Sequence, residues 1–215
     1  FNSYRKTDMG MELLFKSAFE IAEYVKTKAV SSREVVSFYM DRIETFNPEI
    51  NAVVQLDAER ALLRADAADK AIASGQDWGP LHGLPVTIKD AYLTEGIVTA
   101  NGIPALKDNV PDRNADVVQK YVDAGAIILG KTNTPMASGD FQSFNEIYGT
   151  TNNPWDLTRT CGGSSGGAGA SLASGMTPLE LGGDIGGSIR IPSHLNGVYG
   201  HKPSHGIVSQ RTLVD

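Results

Sequence analysis

Residues 161–190 read CGGSSGGAGASLASGMTPLELGGDIGGSIR, and the fold turns on whether this run is a linker or a site. Ten of the chain's 23 glycines lie between Cys161 and Ser188. Runs rich in glycine and serine commonly form flexible linkers. Two features oppose that here. Apolar residues are threaded through the run (Ala168, Leu172, Met176, Leu179, Leu181, Ile185), which a linker does not require. The glycines also gather around two serine sites, Ser164-Ser165 and Ser188. Glycine is needed where the backbone takes positive φ or must approach a ligand closely. The run is therefore read as a place where backbone N–H groups face a substrate. It predicts a short helix over 167–174, a strand at 179–181, a tight turn over 182–187, and a helical turn opened by Ser188 and running to 196.

Upstream of this run, helix and strand signals alternate. Leu14, Ala18, Ile21, Ala22 and Val25 keep a helical period over 11–28. The polar face there mixes Glu20 and Glu23 with Lys16 and Lys26, which suits a core-facing helix better than a membrane-surface one. Ser31 and Glu34 form a capping-box pattern for a second helix over 31–46. Its buried stripe is Val35, Phe38, Tyr39, Ile43 and Phe46, and Asn47-Pro48 is expected to end it. A short strand follows at 51–56. A helix over 58–74 carries Ala61, Ala65, Ala68 and Ile72 on one face, with Gly75 as its cap. Residues 84–88 are a short apolar strand, with Lys89-Asp90 at its end. The plain reading of Lys89 is a surface partner for Asp90. Its position favours another reading, because a lysine at the carboxyl end of a buried strand faces the crevice where open α/β sheets bind ligands. Burial disfavours its ammonium form and equips it to act as a base. After a loop at 91–113 come a helix over 114–124, ended by Gly125, and the apolar strand 126–129. A continuous apolar run is expected of a parallel strand covered on both faces, so the class is α/β. Residues 137–160 read mostly as loop, with a turn near Asn153-Pro154.

Composition narrows the function. With 215 residues, 41% of them hydrophobic, the chain can bury a core as one domain or at most two. A net charge of −6 gives no electrostatic footprint for nucleic acid. No apolar run reaches membrane-spanning length, and 1–10 carries no signal core. The first residue is Phe, so the natural start is expected to lie upstream. One cysteine excludes an internal disulfide and fits a reducing compartment, so a cytoplasmic location is expected.

The motifs resemble those of the amidase signature hydrolases. GGSSGG at 162–167, DIGGSIR at 184–190 and HKPS at 201–204 carry the resemblance, with Ser164 and Ser188 at the family spacing of 24 positions. LHGLPVTIKD at 81–90 supplies the upstream lysine, and GKTNTP at 130–135 also fits the pattern. The resemblance runs from about Ala18 to the C-terminus. It implies a mixed, largely parallel central sheet flanked by helices on both faces, of which this chain is the N-terminal half. On that reading 1–215 is one incomplete domain, with a helical part at 11–75 and a portion of the catalytic core at 76–215. The chain alone would lack part of its substrate pocket and expose a sheet edge.

The resemblance implies that Ser188 is the nucleophile. It likewise implies that Ser164 is the proton relay, held by a cis peptide bond after Gly163, and that Lys89 is the general base. An amide needs such groups, because its carbonyl is a weak electrophile and its leaving amine must be protonated. The glycine-rich turn can present the N–H groups of Ile185, Gly186, Gly187 and Ser188 as an oxyanion hole, and a helix N-terminus at Ser188 would favour developing negative charge. Asp184 and Arg190 can brace that turn, either as a structural pair or as an exposed one of little worth. Ser165 can orient the relay. Two positions depart from the family: Gly183 replaces a hydroxyl residue before the aspartate, and Met136 stands where an acidic residue is common.

Other constellations fit less well. A Ser-His-Asp triad could draw on His82, His194, His201 or His205, but no G-x-S-x-G elbow surrounds Ser188. Cys161 with a histidine would make a thiol hydrolase, although a lone cysteine before glycines more often packs. No lysine follows the glycines as a phosphate loop needs, and no spacing suggests a metal or other cofactor. The expected protein is an amidohydrolase acting on a small-molecule linear amide through an acyl-enzyme. Alternatives are the glutamine-hydrolysing component of a tRNA-dependent amidotransferase, an acyl transferase, and a catalytically silent scaffold; a homodimer stays open.

Overall fold

The computed structural model describes residues 13–14, 16–209 and 211, so the expected helix start at 11 and the reading of 1–10 lie outside the described residues. The N-terminal part is α1 (Ala18–Lys26), α2 (Ser32–Ile50), β1 (Val53–Leu56) and α3 (Ala58–Ala73). Both α1 and α2 begin with a complete capping box, Ser17 with Glu20 and Ser31 with Glu34. Helix α2 does not stop at Asn47-Pro48. It carries Pro48 inside its last turn and ends at Ile50. The Asn47 side chain makes this possible, because its Oδ1 accepts the N–H groups of Ala52 and Val53 while Asn51 turns left-handed at φ 54°. Of the expected stripe, Val35, Tyr39 and Ile43 are buried. Phe46 is half-exposed and lies under the Arg42 guanidinium, 4.6 Å from it. On α3 the buried residue of the last turn is Ala71 rather than Ile72.

The chain then lays down β2 (Pro85–Lys89), α4 (Asp116–Asp123) and β3 (Ile127–Thr132). The stretch 137–160, expected as loop, contains four short strands in antiparallel pairs. These are β4 (Phe144–Asn145) with β5 (Gly149–Thr150), and β6 (Asn152–Asn153) with β7 (Asp156–Thr160). Helix α5 (Gly166–Ala173), strand β8 (Glu180–Leu181) and helix α6 (Arg190–Asn196) follow. The main sheet has the order β1-β3-β2-β8. β2 runs parallel to both β3 and β8, and only β1 is antiparallel, which gives the mixed, largely parallel sheet of an α/β fold.

All five residues of β2 are buried, so both faces of the sheet are covered. α2, α3 and α5 pack against its central strands. Val86, Ile88, Ile127 and Leu129 join one apolar core with Ile21, Val35, Tyr39 and Ala65. Where β1 crosses β3 the backbones nearly touch, and a Cβ on Gly130 would fall 1.8 Å from the Gln55 carbonyl oxygen. The sheet therefore delivers the C-terminal ends of β2, β3 and β8 together, beside the N-terminal end of α5.

Candidate active site

Lys89 is the last residue of β2 and is buried, with Asp90 buried beside it. They are not partners. The cation nearest Asp90 is Lys131 of β3, at 4.0 Å. Lys89 Nζ instead donates to Ser164 Oγ at 2.5 Å. Burial pushes the Lys89 amine down to about 7, against the pull of Asp184 and Glu180. This is the direction a base requires near neutral pH.

Ser164 is buried, and the Gly163–Ser164 peptide bond is cis. No side chain fits at Gly163, where a Cβ would lie 2.7 Å from the Asp140 carbonyl oxygen. Ser143, which the sequence did not mark, ties this loop to α5: its Oγ donates to the Ser164 carbonyl at 3.4 Å and accepts the Gly166 N–H at 2.9 Å.

Ser188 is half-buried and precedes α6 by two residues, so it does not open the helix. Its carbonyl accepts the Ser165 N–H at 3.1 Å, which joins the Ser188 turn to the Ser164 loop. The Ser165 hydroxyl donates to the Gly183 carbonyl at 3.1 Å and accepts the Gly183 N–H at 3.2 Å. Ser165 therefore staples the two glycine-rich loops and is not bonded to the Ser164 or Lys89 side chains.

Asp184 has more work than an exposed ion pair. Its side chain is fully buried and receives both Nε and Nη2 of Arg190 at 2.9 Å, together with the N–H groups of Gly187, Ile189 and Arg190. The Arg190 guanidinium, helped by these N–H groups, holds the Asp184 carboxyl far below the usual range. Two expectations change as a result. The Gly187 N–H is committed to Asp184 at 2.8 Å and is not free for an oxyanion. The N–H groups of Ile189, just before α6, and of Arg190, its first residue, are also spent on that carboxylate. Among the described residues the N–H groups of Ile185, Gly186 and Ser188 have no partner, and these three remain for an oxyanion. At Gly183 the room of the missing side chain is taken by Tyr92, whose hydroxyl would lie 2.8 Å from a Cβ there and donates to the Gly182 carbonyl. Met136 is exposed, and nothing in the structure ties it to this site.

The competing constellations do not assemble. No hydrogen bond joins any of the four histidines to Ser188 among the described residues. His82 is buried, with Nδ1 accepting the Trp78 N–H and Nε2 against the Ala68 carbonyl. Cys161 is buried, burial pushes its thiol up to about 12, and its Sγ is spent on the Thr151 and Gly162 carbonyls.

A buried lysine joined to a serine on a cis peptide, and stapled beside a second serine after a glycine turn, is the arrangement of amidase signature proteins as the motifs imply it. Residues 34–215 match the Amidase family model, and the chain belongs to that family. It is 42% identical over 203 residues to the glutamyl-tRNA(Gln) amidotransferase A-subunit of Acidothermus cellulolyticus, covering 94% of this chain and 40% of that protein. It is 46% identical over 192 residues to an indoleacetamide hydrolase of Bradyrhizobium diazoefficiens, covering 88% of this chain and 36% of that one. The peptide amidase of Stenotrophomonas maltophilia superposes with a TM-score of 0.89 at 30% identity, covering 94% of this chain and 42% of that structure. The chain thus spans about two fifths of the length of these relatives.

Proposed function

We propose that the protein carrying this chain is a serine amidohydrolase that cleaves a carboxylic amide, with Ser188 as nucleophile, Ser164 as relay and Lys89 as base. The observation that carries this reading is the 2.5 Å bond from a buried Lys89 amine to the Ser164 hydroxyl. In the first step the Ser188 oxygen bonds to the amide carbon, and the carbonyl electron pair moves onto oxygen. The Ser188 proton passes to Ser164, whose own proton passes to Lys89. The N–H groups of Ile185, Gly186 and Ser188 face the oxyanion; such donors are worth about 3–4 kcal/mol each. The relay then runs backwards, the amine leaves protonated, and an acyl group stays on Ser188 until water removes it. Acyl transfer to another nucleophile uses the same steps. Ser188 Oγ has no hydrogen-bond partner among the described residues; catalytic hydrogen bonds often tighten only once substrate binds.

A second reading is supported by the similarity to the amidotransferase: the amide is glutamine, and the ammonia released is passed to a partner. Comparing ammonia release from glutamine with that from aryl and alkyl amides separates the two. Among the described residues no helix is long and apolar enough to cross a membrane; the proposal places the enzyme in the cytoplasm, where a lone reduced cysteine is the norm.

The test is intact mass and peptide mapping after treatment of the full-length protein with a fluorophosphonate. A single adduct on Ser188, absent in Ser188→Ala and at least about 100-fold slower in Lys89→Ala, is expected. A folded protein that takes up no reagent would sink the hydrolase reading and favour a silent scaffold.

A further inference from the structure

Glu180 has no part in the reaction as described so far. It is one of the two residues of β8, and its register partner on β2 is Thr87. Lys89 lies two residues further along β2, on the same face because strand side chains alternate. Thr132 of β3 pairs with Lys89 from the other side. The Glu180 carboxylate is therefore on the sheet face that carries the Lys89 amine. Two hydroxyls hold it there: Thr87 Oγ1 donates to Oε2, and Thr132 Oγ1 donates to Oε1 at 2.6 Å. Neither brings charge, and a half-buried carboxylate is better held in its ionised form when a cation faces it.

The ionisable groups that face it are few. Lys89 comes from β2, Lys131 from β3, and the Tyr121 phenol from α4; Asp184 follows on the turn after β8. Asp184 already has Arg190. Lys131 already binds the Tyr92 carbonyl and the hydroxyls of Thr94 and Thr99, with Asp90 at 4.0 Å. Lys89 has only the Ser164 hydroxyl, which is neutral. Among the described residues Lys89 is thus a buried amine with no carboxylate in ion-pair contact, and Glu180, half-buried on β8, is a carboxylate with no cation in ion-pair contact. Burial pushes the Glu180 carboxyl up to about 7, with the two threonine hydroxyls and the two ammonium groups opposing. Above that pH the counter-charge is in place.

We propose that Glu180 is the positioning residue of the base: its carboxylate is the counter-charge for the ammonium that forms on Lys89 when the Ser188 proton arrives through Ser164. No proton moves to Glu180 in this step. The inference rests on the reading of Lys89 as base.

The experiment measures the pH dependence of fluorophosphonate labelling of Ser188 in the full-length protein, for the wild type, Glu180→Gln, Glu180→Asp and Lys89→Met. In Glu180→Gln the alkaline plateau is expected to fall about tenfold, and the midpoint of the acid limb to move down by about half a pH unit or more, because an ammonium without its counter-charge forms less readily. Glu180→Asp keeps the charge and restores the midpoint. A plateau that falls with the midpoint unmoved would assign Glu180 a structural role only and overturn the inference. If Glu180→Gln does not fold, Thr132→Val takes its place, since loss of the hydroxyl that stabilises the ionised carboxylate moves the midpoint in the same direction. Lys89→Met separates the two failures. If it labels at the wild-type rate, the base reading falls and this inference with it. If it abolishes labelling while Glu180→Gln leaves the midpoint in place, only the inference falls.

Discussion

The buried amine of Lys89 links the site to the stability of the fold. Its folded value of about 7 lies below its ordinary 10.5. Between these two pH values the unfolded chain holds the proton and the folded chain does not. Stability therefore rises with pH across this window and is lost as pH falls towards 7. Lys89→Met lacks that dependence. Whatever fixed offset the lost Ser164 hydrogen bond brings, the stability of Lys89→Met relative to wild type in urea melts is expected to be most favourable near pH 7 and to decline towards pH 10. A relative stability that improved with pH would contradict the burial of the amine. At this scale the motifs made Lys89, Ser164 and Ser188 legible, because their spacing is local or fixed by family pattern. Glu180 was not legible. In PLEL it reads as the polar residue of a short strand, and nothing in the sequence places it beside Thr87 and Thr132. The commitment of the Gly187 N–H to Asp184 was also hidden, since it depends on the carboxylate folding back into its own turn.

Among the elements, α2 offers the sharpest test, because its start is set by one hydroxyl. Ser31 Oγ accepts the Glu34 N–H while the Glu34 carboxylate accepts the Ser31 N–H and hydroxyl. Ser31→Ala is expected to cost about 1 kcal/mol in urea unfolding, and Ser31→Asp much less, since aspartate also accepts that N–H. Equal losses in the two variants would mean that the box does not hold the helix. The Ser17 cap of α1 and the start of α6 at Arg190 were not read, whereas the start of α2 was legible in the sequence because capping is a contact within four residues. The end of α2 was not, because Asn47 stops the helix by bonding residues 52 and 53 beyond it. The strands β4 to β7 escaped for a related reason. Three of the four have two residues, too few to show a period, and their pairing follows from the loop they close.

Across the whole molecule, the apolar runs at 84–88 and 126–129 announced strands buried on both faces, and the order β1-β3-β2-β8 places Lys89 on an interior strand. The same packing encloses Cys161, whose thiol burial pushes up to about 12. Its reaction with an aromatic disulfide reagent is expected to be slow in native buffer and to accelerate with urea in step with global unfolding. Rapid stoichiometric reaction of the native protein would show that the region around α5 opens locally. Lys89 and Ser164 are both enclosed, and Ser188 is the most open of the three. An electrophile entering from solvent meets the Ser188 hydroxyl first and the Lys89 amine last. The Lys89 amine is therefore shielded from amine-directed reagents, and selective labelling of this site has to be written for an alcohol.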